Sequence, residues 1–453
     1  MTVELAPVSV PDFGLPLQKP SVPVHTYDLR CRETYARAGC DWVAVYADRE
    51  HFSNIAYLCD FEPRFEEAIL MLGPEDARVI ITGNECVSFA QAMTRLSSFE
   101  VRLCQAMSLP GQDRSRAPSL LAVLKDIGIR AGQRIGLVGW KPPALEAGED
   151  AGFFFPSVYV DALRRSAGDP LAVVDRTESL MHPEQGLRAI VDADQIAAFE
   201  WAASRATAAV WRIVTQVREG DSELEAAARM AYAGEPLSAH VMLASSDASG
   251  PVVGLRSPTA RRLSRGDGVT TAVGYWGGLS ARAGLISDGD DDFLKTASAY
   301  FKGLLTWYET VDIGIAGTEV FSRVSETLAQ GGLASMLNPG HLCGHEEWVN
   351  TPIRPTGDYR LRSGMVFQVD IIPTPMPLGW ALNCEDPVVL ADAALRSEIA
   401  TRHPDVMSRI DARRSFMSEA LGVNLGPSIL PLGQTPGCLA PFWLKSGHLL
   451  VKG

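Results

Sequence analysis

Three neighbouring stretches decide how this chain folds: NPGHLCGHEEWVNTPI (residues 338–353), LRSGMVFQVDIIPTP (361–375) and GWALNCEDPVVL (379–390). Each sets one ionisable residue against an apolar, strand-like run: His341 after Pro-Gly, Asp370 after Met-Val-Phe-Gln-Val, and Glu385 ahead of Asp-Pro-Val-Val-Leu. A charge within a β-type run is costly to bury unless it is paired or metal-bound. Singly, each has an ordinary reading as a satisfied core histidine, a strand-end aspartate or a turn glutamate, because structural ion pairs also bury charge. Three together, 29 and 15 residues apart and bordered by Gly or Pro turns, point to one shared site. Alternation from Met365 to Asp370 puts Val366, Gln368 and Asp370 on one side of a strand, and Met365, Phe367 and Val369 against helices behind. Glu385 is expected on a neighbouring strand, with Asp386 facing the opposite way and mattering less to turnover.

Between the first two runs, His345 follows His341 by four residues, but Gly340 and Gly344 favour a loop or strand end over a helix. His345, Glu346, Glu347 and Trp348 then offer an imidazole, two carboxylates and an indole in four residues. That group suits recognition of a cationic or amide-bearing small molecule; the alternative is a solvent-facing loop with an anchored tryptophan.

Towards the amino terminus, apolar residues from Asp194 to Val217 recur at helical spacing, and Gly220 stops that helix. Ser222-Glu223-Leu224-Glu225 is a capping-box signature for a second helix through Met230. A domain junction is expected after His182-Pro183. From Tyr27 to about Leu180, β-rich runs near residues 42–46, 68–72, 78–82, 134–139 and 171–175 alternate with helical stretches such as 28–37, which implies an α/β domain with a mixed or parallel sheet. Gly132 and Gly136 do not open a G-x-G-x-x-G helix, so a nucleotide loop is rejected. Residues 142–156, with Phe153-Phe154-Phe155, read as an irregular excursion. Residues 1–26, rich in proline and without a basic leader, read as an extended arm and not as a targeting peptide.

A chain of 453 residues exceeds what one core usually serves. Its 46% hydrophobic and 21% charged content is ordinary for a globular protein. Forty-one basic against 54 acidic residues give −13, which argues against a nucleic-acid partner or an anionic membrane surface. Eight scattered cysteines without a CxxC pair suit reduced thiols in the cytoplasm. No apolar run approaches the ~20 residues of a membrane span.

Gly340-His341, Ser363-Gly364-Met365-Val366 leading to an acid, and Cys384-Glu385-Asp386 before an apolar strand together resemble the creatinase/prolidase/methionine-aminopeptidase superfamily of pita-bread proteins. The resemblance implies a creatinase-type amino-terminal domain over residues 27–183 and a pita-bread catalytic domain over 184–453, with a curved antiparallel sheet flanked by helices. In metallopeptidase members a His, a Glu and a final Glu bind metal together with two aspartates from an earlier hairpin. The first three positions correspond to His341, Asp370 and Glu385, the middle acid being one methylene shorter here. Residues 266–284, GDGVTTAVGYWGGLSARAG, depart from that pattern: Ala272 stands at the first aspartate's place and Ala281 or Arg282 at the second's. At most three of about five ligands then remain. The superfamily's upstream histidine is replaced by Leu255 or Arg256, with His240 a possible stand-in, and its second downstream histidine falls near Trp348. Asp288, Asp290, Asp291 and Asp292 read as a solvated helix cap.

The expectation is therefore an α/β protein of two domains and a metal-independent, creatinase-like hydrolase of a C–N bond in a small polar substrate, without cofactor. In this reading His341 shuttles the proton. Asp370 and Glu385 bind a cationic nitrogen group, Arg282 holds a substrate carboxylate, and His345, Glu346, Glu347 and Trp348 line the pocket. The resemblance also implies a homodimer. The alternatives are an Xaa-Pro-type metallopeptidase with a reduced metal site, or a non-catalytic pita-bread binding protein.

Overall fold

The computed structural model describes residues 2–115, 117–144 and 152–453. They form two compact units, residues 22–189 and residues 1–21 with 190–453. The smaller unit is built on a six-stranded sheet in the order Glu100–Leu103, Arg78–Thr82, Ala68–Leu72, Trp42–Ala47, Ile135–Val138, Val173–Asp175. The three central strands of the alternating sequence pair antiparallel, and the flanking strands add in parallel. Every residue of Trp42–Ala47 and Ala68–Leu72 is buried, so these strands read as continuous apolar runs, as sheets covered on both faces do. The helix Val24–Ala38 ends at Gly39 in the left-handed conformation, φ 58°. In the segment read as an irregular excursion, residues 145–151 lie outside the described residues; beyond them Phe155 enters the core while Phe153 and Phe154 stay half-buried.

In the larger unit, part of the proline-rich start is regular structure: Val3–Pro7 pairs antiparallel with His448–Lys452. Helix α1 (Ala193–Gln216) begins where the Asp192 side chain accepts the Gln195 amide, and α2 (Glu223–Ala228) opens with a full Ser222/Glu225 capping box. Three strands follow, β1 (Leu237–Ser246), β2 (Gly268–Tyr275) and β3 (Gly278–Leu285), then helices α3 (Asp291–Thr310) and α4 (Gly317–Gln330). The acidic run 288–292 caps α3 through Asp290. Next come β4 (His341–Leu342), β5 (Val366–Val369) and β6 (Asn383–Leu390), then helices α5 (Ala393–Arg402) and α6 (Pro404–Glu419), and finally β7 (Ile429–Pro431). These strands make one curled antiparallel sheet, ordered β4-β5-β6-β3-β2-β1, with β7 also on β6. The three stretches that carry His341, Asp370 and Glu385 are thus neighbours in space, and helices flank the sheet that holds them.

Helix α1 lies hard against the turn of the β2–β3 hairpin. A Cβ on Gly277 (φ 107°) would fall 2.0 Å from the Phe199 ring, and one on Gly278 would fall 2.7 Å from the Ala203 backbone. Only glycine permits that approach.

On the face of β3 and β6 opposite Glu385 sits a closed ion pair. Arg282 is buried and its Nη2 lies 2.8 and 2.9 Å from the two Asp386 oxygens. Its remaining donors reach the carbonyls of Cys438, Ala281, Glu385 and Thr435 at 2.7–3.0 Å. Asp386 also accepts the Gly437 amide at 2.9 Å. Burial works against the guanidinium's charge, but Asp386 more than offsets it and holds the Arg282 pKa above its ordinary value. This corrects the expectation that Arg282 grips a substrate carboxylate: every guanidinium nitrogen is already engaged, on the wrong face. It also corrects the view of Asp386 as a neutral control. Replacing one member of a buried pair strands the other, so Asp386→Asn should cost about 3–5 kcal/mol. Urea or thermal unfolding would show it as a large drop in midpoint; an unchanged midpoint would refute the structural role.

Candidate functional site

Residues directly opposite one another on antiparallel strands project from the same face of a sheet. Ala281 of β3 pairs with Ala272 of β2 and with Glu385 of β6, and Met242 of β1 continues that row. Gln368 of β5 pairs with His341 of β4 on one side and with Pro387, two residues from Glu385, on the other. By strand alternation Asp370 shares the face of Gln368. One face therefore presents His341, Gln368, Asp370 and Glu385 beside the methyl groups of Ala272 and Ala281. The register also decides which residue stands at the second hairpin position: it is Ala281, while Arg282 points behind.

Four side chains converge on this face. One donor atom from each of His341, Glu347, Asp370 and Glu385 lies within 4.8 Å of all the others. His341 is fully buried, and Asp370 and Glu385 are 4% and 5% exposed. His341 Nε2 is 2.7 Å from a Glu347 oxygen, within hydrogen-bonding distance, and 3.9 Å from an Asp370 oxygen. Asp370 Oδ1 and Gln368 Oε1 are buried and lack a hydrogen-bond partner among the described residues. Gln368 Nε2 donates to the Leu279 carbonyl at 2.8 Å and to Glu385 Oε1 at 3.0 Å. The Leu279 carbonyl can only accept, which fixes the amide's orientation.

The electrostatics follow from this crowding. Burial pushes Asp370 up to about 6, with His341 opposing and Glu347 adding to the rise. Burial also holds Glu385 well above the usual carboxylate range, helped by Asp370 and Glu347 and partly offset by Gln368. For His341 burial disfavours the charged form, but Glu347 and Asp370 outweigh it and raise the pKa. Three carboxylates face one imidazole, so acidic groups outnumber the basic one.

The loop after β4 brings in Glu347. It leaves at Leu342 and returns at once, Leu342 donating to the Asn350 carbonyl at 2.7 Å and Val349 to the Leu342 carbonyl at 2.9 Å. Trp348 then stacks on the His341 ring, centroids 4.0 Å apart and planes 19° off parallel. His345 and Glu346 are not among the converging donors: His345 is buried edge-on to Phe199 and Trp276, and Glu346 is half-buried. His240 is exposed in the irregular part of β1, and Leu255 is 80% exposed. The spacing of the sequence does not separate Glu346 from Glu347; only the return of the loop selects the second.

The donor set fits a divalent cation. One imidazole nitrogen and carboxylate oxygens are borderline-to-hard ligands of the kind that hold Zn²⁺ or Mn²⁺. His341 Nδ1 faces the Leu342 carbonyl at 3.4 Å, and a carbonyl can only accept; with its proton on Nδ1 the ring would offer the Nε2 lone pair to an ion. The two hairpin alanines led to the expectation of a metal-free centre with His341 free to shuttle protons; the convergence of Glu347 with His341, Asp370 and Glu385 gives that expectation no support, since these four could hold an ion.

No protein-family model and no curated protein matches this chain. Solved structures do. A prolidase from Pyrococcus horikoshii OT3 superposes with a TM-score of 0.62 at 16% identity, over 81% of this chain and 95% of that one. The fold is the prolidase fold. An X-Pro aminopeptidase from Thermotoga maritima MSB8 gives 0.61 at 18% identity over 81% and 95%, and an Xaa-Pro dipeptidase from Bacillus anthracis 0.59 at 17% over 82% and 96%. This is the pita-bread architecture that the three stretches implied.

Gly340 positions the histidine at the centre of this site. It has φ 104°, and a Cβ there would meet Trp307 Nε1 at 2.9 Å and the Gln368 carbonyl at 3.2 Å, where Trp307 already donates to the Pro339 carbonyl at 2.7 Å. Gly340→Ala should therefore destabilise by about 1–3 kcal/mol and displace His341. Thermal unfolding would register the loss; a variant as stable as the parent would show that the turn is not under this constraint.

Proposed function

We propose that this chain is a hydrolase that cleaves an amide C–N bond in a small peptide-like substrate, an Xaa-Pro-type peptidase with its metal site reduced to a single ion. The observation that carries the reading is the convergence of the buried His341, Asp370 and Glu385 on one face, with Asp370 Oδ1 lacking a hydrogen-bond partner among the described residues. The likeness to prolidases and Xaa-Pro peptidases supports the same reading at the level of fold.

His341, Asp370 and Glu385 would hold the ion. A divalent cation bound there supplies Lewis acidity toward a carbonyl oxygen and toward water. The chain's own contributions are orientation and exclusion. Gln368 ties Glu385 to the Leu279 carbonyl, so this carboxylate cannot rotate away. Trp348 covers one face of the His341 ring and keeps water from it. The methyl groups of Ala272 and Ala281 leave the hairpin side of the site without charge, where the substrate's non-reacting part would rest. The homodimer implied by the resemblance belongs to the same proposal, and light scattering at twice the chain mass would support it.

Elemental analysis of the purified protein should find about one equivalent of a divalent transition metal, consistent with a single catalytic ion. Chelation should abolish hydrolysis across a panel of Xaa-Pro dipeptides and small amides, and metal should restore it. His341→Ala should lose metal together with roughly 10²-fold or more of the rate. Full turnover of a small cationic substrate by chelator-treated protein would overturn this reading and favour metal-independent chemistry.

A further inference from the structure

The single-ion reading leaves the cation with three ligands from the sheet and no carboxylate from the β2–β3 hairpin, whose facing positions are Ala272 and Ala281. We propose that Glu347, on the loop after β4, is the fourth metal ligand and takes the place of the missing hairpin carboxylates. The proposal rests on the single-ion reading of the site and adds to it the source of its coordination.

The four donor atoms are close enough together to share one ion. Ligand atoms about 2.0–2.2 Å from a common ion lie ~3–4.4 Å from one another. Asp370 is 3.9 Å from His341 Nε2 and all four donors stay within 4.8 Å, while the Glu347 oxygen, 2.7 Å from Nε2 and at hydrogen-bonding distance, would open slightly to admit the ion. Asp370 Oδ1, buried on the same face, lacks a hydrogen-bond partner among the described residues, and a cation shared with Glu347 and Glu385 would satisfy it. A second ion would lie ~3.5–4 Å away, on the side where the alanines offer no donor.

The loop is built to hold this carboxylate in place. The Leu342–Asn350 and Val349–Leu342 backbone bonds close the excursion, and the Trp348 stack presses the adjoining residue onto the histidine ligand. Of the four donors, Glu347 alone is substantially accessible, its side chain 30% exposed. The ion would therefore enter past Glu347, the sheet ligands forming the floor.

The test uses the full-length protein stripped with chelator and titrated calorimetrically with Mn²⁺ and Co²⁺. Wild type should bind one ion. Glu347→Gln, isosteric and on a partly exposed loop, should bind about 10–100-fold more weakly or worse, Glu347→Asp should recover part of the loss, and the visible spectrum of the Co²⁺ form should change in the Gln variant. Circular dichroism of the metal-free proteins should coincide, which separates a lost ligand from a lost fold. A Glu347→Gln protein with wild-type affinity and an unchanged cobalt spectrum would overturn the ligand role while leaving the single-ion reading intact. A wild-type protein that binds no ion would overturn both.

Discussion

The structure turns on the pairing of β6 with β3. Glu385 and Asp386 are consecutive, so they face opposite sides of the sheet, one into the site and one onto Arg282. A slip of one residue would exchange them, placing Asp386 in the donor cluster and Glu385 against the guanidinium. The Arg282–Asp386 pair opposes that slip, because Asp386 is held there by the guanidinium at 2.8 and 2.9 Å and by the Gly437 amide, and the longer glutamate would have to fit the same closed space. Register on the concealed face thus sets the chemistry available on the other. The same strand also pairs with β5 and β7, so an error there would spread across most of the sheet.

A cluster of three carboxylates and an imidazole, buried except for Glu347, is itself a source of instability. Burial drives Asp370 and Glu385 toward their protonated forms, and the chain tolerates this only because its neighbours hold each group in place. Gln368 restrains Glu385, Trp348 and Gly340 frame His341, and the short loop carries Glu347. Such arrangements cluster at sites where a ligand completes the balance of charge.

Much of this was legible in the sequence, for reasons that differ from residue to residue. Period-two alternation around Gln368 and the Pro-Gly and Ser-Gly turns revealed strands with polar side chains on one face. Helix starts at Asp192 and Ser222 were written in their capping residues. Arg282 was misplaced because a sequence does not say which of two adjacent residues, Ala281 or Arg282, faces forward; a partner strand decides it. Glu347 was seen as a binding residue, but its closeness to Asp370 and Glu385 depends on a loop closing through backbone hydrogen bonds that no side-chain pattern records. The strand Val3–Pro7 was hidden for a related reason: its partner lies at the far end of the chain.

The β2–β3 hairpin sets two alanines in register with the site. Ala272, Ala281 and Glu385 stand in one row, and α1 presses on the Gly277 turn that fixes it. Side chains set at these two positions would face the site whatever their chemistry, so what the hairpin offers there can be changed by substitution alone, without rebuilding a strand or a turn.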